Sequence, residues 1–198
     1  MNGPLDGVKV IDLSTIVSGP LAGSLLGDQG ADVIKIESPL RPDNARFMGP
    51  LRGENGALFA AANRSKRSLA LDLKKDGSKA IIYELIKNSD VIIDNFRPGI
   101  LKKLGLEYED VKKYNPRIIQ LSITGYGVDG PYSKRRVYDP LIQATAGIAN
   151  AQSIDGTPKF VKTLMCDKIT SLTAAQSVTA ALYAREKTDE GQKINLSM

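Results

Sequence analysis

The chain has no histidine and only one cysteine, Cys166, among its 198 residues. Without histidine there is no imidazole acid–base chemistry, and the commonest zinc ligand is missing. A lone thiol can neither close an internal disulfide nor build a zinc site, and it fits a reducing compartment. Any chemistry must rest on carboxylates, hydroxyls, Lys, Arg or a cofactor. No apolar run approaches the roughly 20 residues needed to span a bilayer. The opening MNGPLDGVKVID lacks the basic-then-apolar layout of a secretory signal. A cytoplasmic protein without a membrane segment is therefore expected.

Aromatic residues are sparse and not clustered for base stacking, and no nucleic-acid-reading motif is present. The net charge of +5 still suggests an anionic ligand. A phosphorylated small molecule fits it better than nucleic acid. A hydrophobic content of 42% is ordinary for one well-packed domain of this length.

Strand and helix patterns alternate along the chain. Residues 7–13 (GVKVIDL) read as a short buried strand. Ser18-Gly19-Pro20 offers a cap and a first-turn proline for a helix over 21–29, which Gly30 is placed to end. Residues 31–37 (ADVIKIE) form a second strand, so the segment is a β-α-β unit. Its loop, SGPLAG, lacks the G-x-G-x-x-G of dinucleotide-binding turns, and Glu37 alone does not rescue an NAD site. Residues 38–56 read as a long Arg-bearing surface loop, and 57–63 as a short helix. The basic run 63–68 precedes a strand at 69–73; basic clusters beside strand ends raise the prospect of a shared anion site. A helix at 76–89, a strand at 90–94, short helices at 100–104 and 107–114, and a strand at 117–124 follow. A helix at 138–149 and a last strand at 193–198 complete an α/β pattern of parallel strands covered by helices. The residues just past the strand at 90–94, Asn95-Phe96-Arg97, lie where such sheets bind ligands.

Residues 159–184 (KFVKTLMCDKITSLTAAQSVTAALYA) read as a strand-like apolar approach, a single carboxylate and a long, charge-poor helix. Locally, Asp167 reads first as an N-cap for that helix and second as a carboxylate kept ionised by the helix end. Cys166, with no histidine to activate it, reads as a buried structural residue. Lys168 reads as solvated, with pairing to Asp167 or a phosphate as the alternative.

Several blocks, in order and across essentially the whole chain, resemble the class III CoA-transferases. They are LDGVKVIDLS with SGP (5–20), GADVIKIE (30–37), NRSKRSLALDLK (63–74), DVIIDNFRPG (90–99), NPRIIQLSITGYGVDGPY (115–132) and YDPLIQATAG (138–147). Asp167 with its helix and the closing AREKTDEGQKINLSM complete the set. The resemblance implies a Rossmann-like large domain that binds CoA, represented by residues 1–198 in its N-terminal part. A smaller domain and the C-terminal remainder lie outside this sequence. It implies Asp167 as the nucleophile that moves CoA from an acyl-CoA to a carboxylic acid through mixed-anhydride and aspartyl-CoA thioester intermediates. CoA contacts are implied at Ile16, Val17, Lys74, Asn95, Phe96, Arg97, Lys103 and Arg136. Where members often carry a basic residue after the second strand's Glu, this chain has Ser38, with Arg41 nearby. Acyl-CoA racemases of the superfamily use a His-Asp pair where this chain has Tyr138-Asp139, so racemase activity is not expected.

CoA is implied as a substrate; no tightly bound cofactor and no metal are implied. The expected partners are an acyl-CoA, a carboxylic acid, and either a second copy in an interlocked homodimer or a complementary C-terminal chain. Weak or absent turnover is expected from the 198 residues alone. A CoA-binding module without catalysis therefore stands as the alternative to the enzyme.

Overall fold

A computed structural model describes residues 3–53 and 55–198. Six parallel strands form the sheet: β1 (Lys9–Asp12), β2 (Asp32–Glu37), β5 (Lys66–Ala70), β6 (Val91–Asp94), β7 (Ile119–Thr124) and β8 (Lys193–Ser197). Their order is β5-β2-β1-β6-β7-β8. Two-residue strands β3 (Leu51–Arg52) and β4 (Asn55–Gly56) make a separate small hairpin. With the hairpin set aside, the order is that of a doubly wound nucleotide-binding sheet, reversing direction between β1 and β6.

Alternation along the strands sends side chains to both faces. On one face Val10, Val33, Val91, Ile93, Ile119 and Leu121 pack against α1 (Ser18–Asp28) and α8 (Met165–Thr188). On the other, Ile11, Ile92 and Ile118 meet α3 (Asp76–Lys87) through Ile82 and Ile86. Leu101 and Leu104 of α4 (Ile100–Leu104) and Val111 of α5 (Tyr108–Val111) extend that second core. Near-continuous apolar strands are what burial on both faces requires. The remaining helices are the short α2 (Ala57–Ala62), α6 (Asp139–Thr145) and α7 (Ile148–Ala151). Among the described residues no helix is long and apolar enough to cross a membrane.

Four local expectations need correction. The loop at 38–56 carries a 3-10 turn, Asn44–Phe47, capped by the Asp43 carboxylate accepting from the Ala45 N–H, as well as the hairpin. The helix expected at 138–149 is two helices, broken at Gly147, whose φ of 79° ends a right-handed run. The approach to Asp167 is not a strand: residues 158–164 form no ladder, and Phe160 is exposed.

The basic run at 63–68 is the fourth. Its last three residues open β5, and its cations disperse onto separate carboxylates: Arg64 onto Asp28, Lys66 onto Asp12 and Arg67 onto Asp32. They do not converge on one anion site. Lys66 is buried outright, its ammonium 2.7 Å from Asp12 and bonded to the Pro20 and Ala62 carbonyls and the Asn63 amide oxygen. Burial lowers its pKa, offset in part by Asp12. Burial pushes the Asp12 carboxyl up, but the charges of Lys66 and Lys35 outweigh that and hold it below the usual range.

Candidate active site

The carboxyl ends of β1 and β6 lie side by side, and the chain leaves them toward opposite halves of the sheet. The crevice between the two departures is the expected ligand position in such folds. After β1 come Ser14, Thr15 and Ile16, then α1. Ile16 adopts φ 70°, a left-handed conformation that is an outlier for a β-branched residue. A side chain at Gly19, in the first turn, would overlap Ser14, so only glycine lets α1 start this close to β1. Val17, not Ser18, occupies the N-cap position of α1, and no side chain caps it.

An open cleft of about 270 Å³ occupies the crevice. Thr15, Ile16 and Ser18 line it from β1 and α1, Asn95, Phe96 and Arg97 from β6, and Arg136 and Tyr138 from the segment before α6. Asp167 stands on its wall. A second cleft of about 340 Å³ adjoins it and shares Thr15 and Phe96. Its walls are mostly apolar, with Leu13, Ile36, Leu40 and Leu71, while Arg41 and Lys74 supply positive charge.

Asp167 is in the first turn of α8 but is not its cap; Leu164 holds that position without a side-chain bond. The capping role passes to another helix. Asp139, buried at the start of α6, accepts from the backbone N–H of Asp167 at 2.9 Å and from the Gln143 amide at 2.5 Å. Gln143 in turn accepts from the Val161 N–H, tying down the irregular approach segment. The Asp167 carboxyl itself faces α1. Burial pushes its pKa up to about 6, helped by the negative charge of Asp139, while hydrogen bonding from the Ser18 hydroxyl and N–H pulls the other way. Ser171 locks the two helix starts together, its hydroxyl donating to the Ser18 carbonyl at 2.8 Å and to the Asp167 carbonyl at 2.7 Å. The result is a buried carboxyl whose pKa is pushed up to about 6. A carboxyl so perturbed on the wall of a cleft is a candidate functional group.

Asp94, at the end of β6, is the other carboxyl that burial lifts to about 6, with Ser122, the Phe96 N–H and Lys193 acting against the shift. Its oxygens accept from the Ser122 hydroxyl at 2.6 Å and the Phe96 N–H at 3.2 Å, so it shapes the turn that carries Phe96 and Arg97. Cys166 is buried, and burial together with the charges of Asp139 and Asp167 raises its thiol pKa, which makes it a poor nucleophile. Lys168 turns away, donating to the Thr163 hydroxyl at 2.7 Å. Glu37 accepts both nitrogens of an Arg46 fork at 3.0 and 2.7 Å and the Asp43 N–H, so it is not placed to bind a ribose.

Of the sequence-derived positions, Ile16, Asn95, Phe96, Arg97, Arg136 and Asp167 meet at the first cleft and Lys74 lines the second. Val17 is buried beneath the loop and lines neither, and Lys103 sits on the exposed side of α4, also outside both. Asn95 lines the cleft, yet both ends of its amide are engaged: Oδ1 accepts from the Thr15 N–H at 2.8 Å and Nδ2 donates to the Thr15 carbonyl at 2.7 Å. Sequence reasoning missed Ser18 as a partner of Asp167, and Asp139 as its brace. Position just past a strand pointed toward the first; nothing local distinguishes the second.

The geometry defines a doubly wound α/β domain with a two-part cleft at its switch point, arginine-lined in its first part, and a buried carboxyl on the wall. The model of CoA-transferase family III matches residues 5–198, and the chain belongs to that family. It is 41% identical over 198 residues to an acetyl-CoA:oxalate CoA-transferase of Acetobacter aceti, covering 99% of this chain and 51% of that protein. It is 38% identical to a succinate–glutarate CoA-transferase of Agrobacterium fabrum, covering 98% and 51%. Among solved structures, a CAIB/BAIF family protein from Brucella suis superposes with a TM-score of 0.93 at 41% identity, covering 98% of this chain and 53% of that one. The chain thus spans about half the length of the relatives it matches.

Proposed function

We propose that this chain is the N-terminal part of the CoA-binding large domain of a CoA-transferase, with Asp167 as the nucleophile. The observation that carries the reading is the Asp167 carboxylate, buried against Ser18 at the head of a cationic cleft, with a pKa of about 6. The second cleft is largely apolar and carries Arg41 and Lys74, with Glu37 and Asp43 in its wall already paired to Arg46 and Lys35, which suits a nucleotide with phosphates; the first suits a thioester-bearing arm that ends at Asp167. Relatives named for oxalate, succinate and glutarate make a short dicarboxylic acid the proposed acceptor.

In this mechanism an Asp167 oxygen attacks the thioester carbonyl. The C–S bond breaks, CoA leaves as thiolate, and a mixed anhydride forms. The thiolate then attacks the aspartyl carbonyl, releasing the donor acid and leaving an aspartyl-CoA thioester. The acceptor carboxylate attacks that thioester, again expelling thiolate, which takes the acceptor's acyl group and restores Asp167. No proton or electron need be supplied, which fits a site without histidine. Ser18 favours the ionised carboxylate against the burial that raises its pKa, and the helix N-terminus beside it favours the same charge.

Mass spectrometry of the complete protein incubated with acetyl-CoA or succinyl-CoA should find a hydroxylamine-sensitive adduct on Asp167. An adduct on another residue, or none with any donor, defeats the assignment. The pH dependence follows from the raised pKa. Only the ionised carboxylate attacks, so single-turnover adduct formation should rise through pH 6 and be about tenfold slower at pH 5 than at pH 7. A rate flat across that interval would contradict it. A homodimer, with the reaction in the cytoplasm, completes the proposal. A fragment that binds CoA without catalysis is the second reading, favoured by the half-length match to the relatives.

A further inference from the structure

Three consecutive backbone positions between β1 and α1 are each gripped by a side chain from elsewhere in the fold. The Ser14 carbonyl accepts from the Lys35 ammonium at 2.6 Å. Thr15 is clamped on both sides by the Asn95 amide at 2.8 and 2.7 Å. The Ile16 N–H donates to both oxygens of Asp43, at 3.0 and 3.2 Å. Lys35 and Asp43 are paired at 3.2 Å, with side chains 2% and 0% exposed. One oxygen of Asp43 also caps the Asn44–Phe47 turn, an ordinary structural duty. That duty explains neither the buried lysine nor the bond to Ile16. A buried ion pair is a weak way to gain stability and a good way to specify one geometry. Here the geometry is unfavourable on its own, a β-branched residue at φ 70°.

The turn ends two residues before Ser18, which lines the first cleft with Asp167 and whose carbonyl is tied to that of Asp167 through the Ser171 hydroxyl; the Ser18 hydroxyl and N–H act as donors that lower the Asp167 pKa. A change of φ at Ile16 swings those donors away. We infer that Asp43, neutralised by Lys35, is a positioning residue: through the Ile16 N–H it holds the β1–α1 turn in its left-handed form and so presents Ser18 to Asp167. The inference rests on Asp167 being the reactive group, but its test requires no turnover. The other ionisable groups around that carboxyl are Asp139 on α6, Cys166 on α8, and Arg97, Arg135, Arg136 and Tyr138 along the cleft wall. None of them is touched by the substitutions below.

The experiment is a carbon-13 NMR titration of the 198-residue chain labelled at the aspartate carboxyls, with the Asp167 signal assigned by its loss in Asp167→Asn. Asp43→Asn should raise the Asp167 midpoint by at least about 0.5 pH unit, because a donor to the ionised form is withdrawn. Adding Ile16→Gly to that variant should bring the midpoint back toward the parent value, since glycine takes positive φ without strain. Ile16→Pro, which fixes φ near −65° and removes the N–H while leaving the Lys35–Asp43 pair in place, should raise the midpoint as Asp43→Asn does. A purely structural role would lower thermal stability and leave the titration unmoved. An unmoved midpoint in Asp43→Asn, or in Ile16→Pro should the former not fold, overturns the inference, as does failure of Ile16→Gly to restore it. A moved midpoint in a protein that never forms an acyl adduct would leave the positioning role standing and defeat the transferase assignment instead.

Discussion

On the proposed function, Asp167→Asn should abolish CoA transfer by the complete protein, while making this chain more stable above pH 6. The loss should be at least about 10³-fold, as expected when a covalent nucleophile is replaced by a group of the same shape that cannot attack. The stability change has the opposite sign, and it follows from the raised pKa. A carboxyl that titrates near 3.8 when unfolded and near 6 when folded binds its proton more tightly in the native state. Native stability therefore falls as pH rises from about 4 to about 6 and stays reduced above that. Asparagine carries no such penalty. Its advantage should be absent near pH 4, grow through the window, and level off at about 1–3 kcal/mol. For a chain of this size that is about 2–4 °C in Tm for each kcal/mol. Thermal melts of both proteins at pH 4, 5, 6 and 8 would measure it. Equal offsets at every pH would mean that Asp167 is not held against its charge. Asp94, lifted to the same range, contributes its own slope to both proteins and cancels in the comparison.

The largest loss of stability is expected from Lys66→Met. The ammonium lies 2.7 Å from Asp12 and also donates to two backbone carbonyls and the Asn63 amide oxygen. Removing it strands a fully buried carboxylate whose remaining donors are the Ser14 hydroxyl and N–H. Breaking one partner of a buried pair costs about 3–5 kcal/mol, a large part of the 5–15 kcal/mol that holds a typical domain together. Adding Asp12→Asn should recover much of that loss, because the stranded charge is gone. Urea unfolding of the single and double variants tests both statements. A single variant within about 1 kcal/mol of the parent would show that Asp12 finds another counter-charge.

The frame of this fold was legible in the residues. Strands β1, β2, β6 and β7 are short apolar runs, and glycines or prolines mark most of the helix ends between them. Right-handed crossovers then leave few ways to order the strands. The ligand position followed from the same pattern, since Asn95, Phe96 and Arg97 directly follow a strand. What stayed hidden depends on side chains meeting across long sequence distances. Lys66 reads as one more cation in a basic run, and only its placement beneath α1 makes it a buried counter-ion to Asp12. Asp139 reads as an ordinary first-turn acid, yet it caps α8, 28 residues on. Ile16 gives no warning that it will adopt a glycine conformation, because the groups that hold it there come from residues 43 and 95. The stretch before Asp167 looks strand-like because it is apolar, but among the described residues no strand pairs with it.

The crossed arrangement of α1, α6 and α8 bears on how this acid could be reproduced elsewhere. The N–H that α8 offers at Asp167 goes to Asp139, while the Asp167 carboxyl takes its support from Ser18 at the start of α1. Grafting α8 alone onto another scaffold would carry over the residue but neither the burial nor the donors that set its acidity. The transferable unit is a three-helix corner together with the turn after β1. Within it, reactivity belongs to the junction rather than to any one segment, and insertions at that corner should be tolerated far less than insertions in the loops facing away from it.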